Sequence, residues 1–254
     1  MGKSNIFRGL LIFFILATAC NGSNKSETPE LVIFSAISFS DVILDTQEYF
    51  QSKENVKLSF NFSGSQVLAS QIANGAPVDL FISSGMRPVE YLLDKDLLLT
   101  ESISYVTSNK LVIAISNDSY KIDINEVRDL YNLDRIVIAD PEYAPAGIYA
   151  QQTLEKLQLQ KTLESKIITA SNARTALTYL ETKNADAAIL YKTDAVNSDK
   201  VFIIDVIPES SYDSIKYPVV IVNSSDNIEL AYKYVDYLLS PEFKNTLNSY
   251  GFGK

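Results

Sequence analysis

The sequence predicts an α/β protein with mostly parallel sheets and helices on both faces. Short, almost wholly apolar runs recur along the chain, as strands buried on both faces require. Between them lie segments whose apolar residues return at helical spacing, and such alternation implies parallel sheets covered by helices. The 254 residues, 46% of them apolar, are enough for one large domain or two smaller ones with real cores.

Taken in order, LVIFSA at 31–36 is the first strand. Phe39, Val42, Ile43, Thr46 and Phe50 then mark one face of a helix, leaving Asp41, Asp45 and Glu48 on its solvated face. LSFNF at 58–62 is a strand, with a helix over about 66–74 after it. DLFIS at 79–83 is a strand, and Pro88 opens the next helix, where its missing N–H costs nothing. Further strands are LVIAIS at 111–116, RIVIAD at 135–140, KIIT at 166–169, AAILY at 187–191, VFIID at 201–205 and PVVIV at 218–222. Helices fit over about 147–158, 173–183, 227–239 and 241–249, the last with Ser240 as cap and Pro241 at its first position. No repeat, low-complexity block or Gly/Ser linker interrupts 31–254. A two-lobed arrangement therefore has crossing strands as its hinge, and 105–110 and 212–218 are the candidate crossings. This divides the chain into a first lobe over 31–107, completed by 217–254, and a second over 108–216.

The first 19 residues are of another kind. Lys3 and Arg8 form a basic start, 9–15 is an apolar run too short to span a bilayer, and Ala17, Thr18 and Ala19 precede Cys20. This resembles a bacterial lipoprotein signal, cleaved before a cysteine that receives lipid. The departure is Ala17, where Leu is usual; here Leu16 stands one place further back. Residues 20–30 are polar, contain Gly, Ser and Pro, and read as a flexible tether. The expectation is an exported protein of the cell envelope or periplasm, held to a membrane through lipidated Cys20.

Composition excludes several functions. The net charge is −9, and the export segment holds two of the cations and no acid, so the remainder is more acidic still. Such a chain is poorly suited to nucleic acid. Its overall field also repels anions, so any anion site must work through local dipoles. Histidine is absent, which removes the commonest general base and the commonest metal ligand. Cys20 is the sole cysteine, so no internal disulfide, Cys-based zinc site or internal catalytic thiol is available. The fingerprint G-x-G-x-x-G is missing, and nothing pairs a nucleophile with a base. Asp79 and Asp140 are isolated acids and read as turn or cap residues.

Four segments share a design in which a strand ends, a small residue follows and a helix begins. They are Ser35-Ala36-Ile37-Ser38, Ser63-Gly64-Ser65, Ala144-Pro145-Ala146-Gly147 and Ser171-Asn172-Ala173. Each offers free backbone N–H groups at a positive helix end. Singly, a serine at such a place usually only caps its helix. Four of them converging at the carboxyl ends of strands would bind an anion without any formal charge.

The order FSAISFSD, NFSGSQVLASQI, GAPVDLFISS, ADPEYAPAGIYAQQTLEKL, ILYKTDAV and IKYPVVIV resembles the bacterial periplasmic molybdate-binding protein family along most of 31–254, the DPE-x-x-PAGIYA segment being the most specific piece. The resemblance implies a two-lobed periplasmic-binding-protein fold with its ligand in the cleft between lobes. It implies capture of molybdate or tungstate and delivery to the membrane permease of an ABC importer, by a monomer with no catalytic activity and no cofactor. It also implies the ligand set: Ser38 and Ser65 through hydroxyl and amide, Ala146 and Ala173 through their amides, and Tyr191 through its hydroxyl. Molybdenum then enters only as the oxyanion, through these five residues. The departures are Ile37 for a usual alanine, Gly64 for a usual small polar residue and Ala173 where Val is familiar; none removes a donor. Arg174 reads as an interlobe or supporting ion-pair residue rather than a ligand. Sulfate, or a sensor's role for the same anion, remains open on the sequence.

Overall fold

The computed structural model describes residues 28–117 and 124–253. The export segment and Cys20 lie outside the described residues. The chain forms two five-stranded sheets, each flanked by helices. The first contains β1 (Glu30–Ala36), β2 (Lys57–Ser63), β3 (Leu80–Ile82), β4 (Ser104–Ser108) and the late strand β10 (Lys216–Ile221), in the order β2-β1-β3-β10-β4. The second contains β5 (Leu111–Ser116), β6 (Ile136–Ala139), β7 (Ile167–Ala170), β8 (Ala187–Tyr191) and β9 (Val201–Val206), in the order β7-β6-β8-β5-β9. The chain thus passes from one sheet to the other between β4 and β5, and returns between β9 and β10.

The strands linked through helices, β2-β1-β3 and β7-β6-β8, run parallel. Those beside the two passages pair antiparallel, β10 with β3 and β4, and β5 with β8 and β9. Apolar runs on the parallel strands are buried on both faces: Leu31, Ile33 and Phe34 on β1, all of β3 and all of β6.

Register decides what meets at the sheet ends. On the first sheet Ala36 is level with Ser63, and Ser35 with Ile82. The segments following β1, β2 and β3 therefore leave the same edge side by side. On the second sheet Ala139 is level with Ala170, and Val137 with Ala188, which brings the segments after β6, β7 and β8 to one edge.

The helices that start there are α1 (Ser40–Glu54), α2 (Ser65–Ala73), α3 (Arg87–Leu93), α4 (Pro145–Lys156), α6 (Ala173–Glu181) and α7 (Lys192–Val196); the short α5 (Gln160–Leu163) follows α4, and α8 (Ile228–Leu238) and α9 (Pro241–Ser249) come last. The cap expected at Ser240 is present, its Oγ accepting from the Phe243 N–H at 3.2 Å beside Pro241. The expected helix after LVIFSA starts later than its pattern suggests, because 37–39 form a single 3-10 turn first. That turn is anchored from behind. Phe39 is fully buried against Tyr217, Phe243 and Phe252, with ring centroids 5.3, 6.1 and 5.3 Å away. The end of the chain thereby holds the turn that carries Ser38.

A carboxylate fixes the far side of the first sheet. Buried Asp79 accepts from the Val32 N–H at 2.7 Å, the Ser225 hydroxyl at 2.6 Å and the Asn227 side chain at 3.2 Å. Asp140 accepts from the Glu142 N–H at 2.9 Å. Both acids hold backbone in place, and among the described residues no cluster of His, Cys, Asp and Glu is suited to a metal ion.

Candidate oxyanion site between the sheets

The two sheet edges face each other, and the approach is close. A Cβ placed on Gly64 would stand 2.3 Å from the Tyr143 carbonyl oxygen and 3.6 Å from that of Ser171. A Cβ on Gly85 would stand 2.7 Å from the Tyr149 hydroxyl and 3.0 Å from Pro145 Cβ. Gly64 precedes Ser65, Tyr143 and Pro145 lead into Ala146, and Ser171 leads into Ala173. Three of the four helix starts singled out in the sequence are therefore in one place. The fourth, the Ser38 turn, is touched by α6.

The two serines do not cap their helices. α2 has Gly64 at its cap position with no side-chain bond, and the Ser38 turn has none either. Ser65 instead turns inward, its Oγ accepting from the Ser84 N–H at 3.1 Å and lying 3.3 Å from the Ser84 hydroxyl. Ser38 Oγ lies 2.8 Å from the Tyr217 hydroxyl. Across the cleft, Tyr191 at the end of β8 donates to the Ser84 carbonyl at 3.2 Å. Ser38, Ser65, Ala146, Ala173 and Tyr191 are all buried. A hydroxyl can rotate to a new partner. The amides of Ala146 and Ala173 belong to first helical turns, whose N–H groups have no acceptor within the helix. At the start of α6 the Asn172 side chain takes up the Thr175 N–H at 2.9 Å, so the cap does not use the Ala173 amide.

Electrostatics keep these hydroxyls neutral. Burial pushes the Tyr191 and Tyr217 phenols far above their ordinary range, and burial pushes Tyr149 up to about 12. All three remain donors at any physiological pH. The formal charges stand further back. Arg174 on α6 meets Asp41 on α1 at 2.5 Å, joining the two sides of the cleft. Asp41 was expected on a solvated helix face; it is half-buried, because α6 packs against the 3-10 turn that leads into α1 and brings Arg174 to it. Burial works most strongly against the Arg174 charge, but the hydrogen bond to Asp41 and the negative charges of Asp194, Asp41 and Glu181 together outweigh it and raise the guanidinium pKa.

Several residues at this place had no role in the sequence reading. Ser84 contacts both Ser65 and Tyr191, and its position directly after the DLFIS strand is the signal that marks it. Tyr217 and Asn109 lie at the two passages between sheets. The Asn109 amide donates to the Tyr217 hydroxyl at 3.3 Å and to Thr193 at 2.9 Å. Asp194, three residues beyond Tyr191, is buried as well.

What these elements define is an arrangement of the receptor kind: two sheets meeting over buried neutral hydroxyls and helix-start amides. The model for the bacterial extracellular solute-binding proteins matches residues 31–253, and the chain belongs to that family. The molybdate-binding protein ModA of Escherichia coli (strain K12) is 32% identical over 253 residues, covering 98% of this chain and 96% of its own. The solved periplasmic molybdate-binding protein of Azotobacter vinelandii superposes with a TM-score of 0.78 at 21% identity, covering 87% of this chain and 98% of its own. The sulfate-binding protein SubI of Mycobacterium tuberculosis H37Rv superposes with a TM-score of 0.76 at 14% identity, over 88% and 86% of the two chains. The last two likenesses speak for the fold alone.

Gly64 sets how closely the sheets approach. A methyl group at this position meets backbone rather than a flexible side chain, and overpacking of this kind costs about 1–3 kcal/mol. Gly64→Ala is expected to shift the molecule toward an open form, increasing its radius of gyration in small-angle scattering while far-UV circular dichroism stays unchanged. Identical scattering from variant and parent would show that the Tyr143 segment yields and that Gly64 does not limit closure.

Proposed function

We propose that this chain captures molybdate or tungstate between its two lobes and delivers it to the membrane permease of an ABC importer, acting as a monomer. The lobes in this reading are 31–107 with 217–254, and 108–216. The observation that carries the proposal is the inward-turned Ser65. A serine at a helix start would normally cap it, yet this hydroxyl is buried where the two sheets meet, with Ser84 and Tyr191. The hydroxyls of Ser38, Ser65 and Tyr191 and the amides of Ser38, Ser65, Ala146 and Ala173 supply seven neutral donors. Molybdate is a dianion without a proton, so its four oxygens only accept, and such a donor set suits it. Hydrogen phosphate carries a proton of its own, for which these five residues offer no carboxylate. Affinity to ModA of Escherichia coli in sequence supports the same ligand.

Calorimetric titration with molybdate, tungstate, sulfate and phosphate tests this reading. A hydrogen bond to a charged group is worth roughly 1.5–3 kcal/mol. An anion too small to engage one donor, or carrying a proton against a donor, should therefore bind about tenfold to a hundredfold more weakly. Molybdate and tungstate are expected to bind alike and to exceed sulfate and phosphate by at least that margin. Tighter binding of sulfate would make the chain a sulfate receptor instead.

The family acts outside the cytoplasm. We further propose cleavage before Cys20 and acylation of its thiol, supported by the basic start, short apolar run and small residues ahead of that solitary cysteine. Several acyl chains would hold the protein stably on a membrane face. Mass spectrometry of the mature protein is expected to find a lipid-modified N-terminal Cys20; an unmodified cysteine, or cleavage elsewhere, would refute the anchor.

A further inference from the structure

Behind the proposed donors lies a group that the anion reading does not use. Asp194 sits in the first turn of α7, immediately after the strand that ends in Tyr191, and is only 3% exposed. Its Oδ2 atom is buried without a hydrogen-bond partner among the described residues. A buried carboxylate oxygen is ordinarily satisfied, and leaving it unpaired is costly unless the group is neutral. The nearby cation is Arg174, which acts on Asp194 through its charge while its Nη2 donates to Asp41 across the cleft.

The surroundings can be taken element by element. From α6, Arg174 favours the charged form of Asp194, and from α1, Asp41 opposes it. Of the other acids on elements packed against α7, Glu181 on α6 accepts from the Ser198 hydroxyl at 2.6 Å, and Asp205 on β9 is half-buried. Strand β5 carries no titratable side chain. Tyr191 and Tyr217, which both feel the charge of Asp194, stay protonated. Burial dominates this balance and raises the Asp194 carboxyl to about 7. With no histidine in the chain, no imidazole titrates in the same range.

We propose that Asp194 couples anion capture to the uptake of one proton, its carboxylate becoming a neutral carboxylic acid as the dianion enters beside Tyr191. This rests on the oxyanion reading above. The reason is like-charge repulsion: a dianion held by Tyr191 and a carboxylate buried three residues further on disfavour each other, and protonation from solvent relieves the conflict. The proton comes from water or buffer, joins the Asp194 carboxylate, and leaves again on release. Asp194 acts on the anion through its charge and is a positioning and selectivity residue rather than a ligand. Were it to stay charged, it would instead accept from a protonated anion such as hydrogen phosphate. Proton uptake is therefore also a means of favouring fully deprotonated anions.

The sign follows from the raised pKa. In the free protein Asp194 is half-protonated near pH 7, and bound anion raises its pKa further. Affinity is then highest below about pH 7 and falls as pH rises through the interval between the two pKa values, by up to about tenfold per pH unit. Calorimetry of the full mature protein with sodium molybdate, in buffers of different ionisation enthalpy, reads the protons directly. About half a proton per anion is expected at pH 7, rising toward one at about pH 8. Asp194→Asn keeps the shape and removes the titration, so it should bind molybdate with no proton uptake and with an affinity independent of pH between about pH 6.5 and 8.5. The unmodified protein keeps the test valid if that variant does not fold. Molybdate binding without proton uptake overturns the proposal, as does unchanged uptake in a folded Asp194→Asn. No molybdate binding at any pH would instead defeat the oxyanion reading itself.

Discussion

Burying a doubly charged anion without an opposing charge is the constraint on which the rest of this account depends. Water solvates such an ion through many donors, and a dry cleft must replace every one of them or bind nothing. Hydroxyls and helix-start amides can do so, but each is weak alone and must already be aimed. Strand register supplies the aim. Because Ala36 stands level with Ser63, and Ala139 with Ala170, the chain delivers its helix starts in pairs on each sheet. Changing either register by one residue would turn a donor away from the cleft and into the core or the solvent.

Closure adds the second requirement. Donors from both sheets must reach one small ion, so the backbones have to come closer than ordinary side chains allow. Gly64 and Gly85 provide this at their contacts with Tyr143 and with Tyr149 and Pro145. The Arg174–Asp41 pair bridges the same gap at the rim. It is more than a third exposed on both sides, so water and salt screen it and its contribution to closure is small.

Much of this was legible in the sequence. The strands followed from apolar runs such as LVIFSA and LVIAIS, and the Ser240-Pro241 helix start from capping chemistry alone, whereas their division between two sheets was implied only by the family resemblance. The segments carrying Ser38, Ser65, Ala146 and Ala173 stood out because small residues follow strands there. What periodicity cannot report is which side chain crosses a cleft. Asp41 looked like a solvent-facing acid, since nothing in its own helix shows that α6 lies over it. The 3-10 turn at 37–39 was hidden by the continuous apolar spacing around Phe39. Tyr217 and Asp194 carry no such signal for a similar reason: the one meets a partner 179 residues away, and the other is buried in a way that no local pattern encodes.

The central claim is that neutral donors, rather than a charge pair, hold the anion. Arg174→Gln and Ser65→Ala, titrated with molybdate under one set of conditions, separate the two directly. The neutral-donor account predicts that loss of the Ser65 hydroxyl weakens binding by about tenfold to a hundredfold, and that loss of the Arg174 charge costs distinctly less. Abolished binding in Arg174→Gln, with Ser65→Ala intact, would contradict the account and require a charge-paired site in its place.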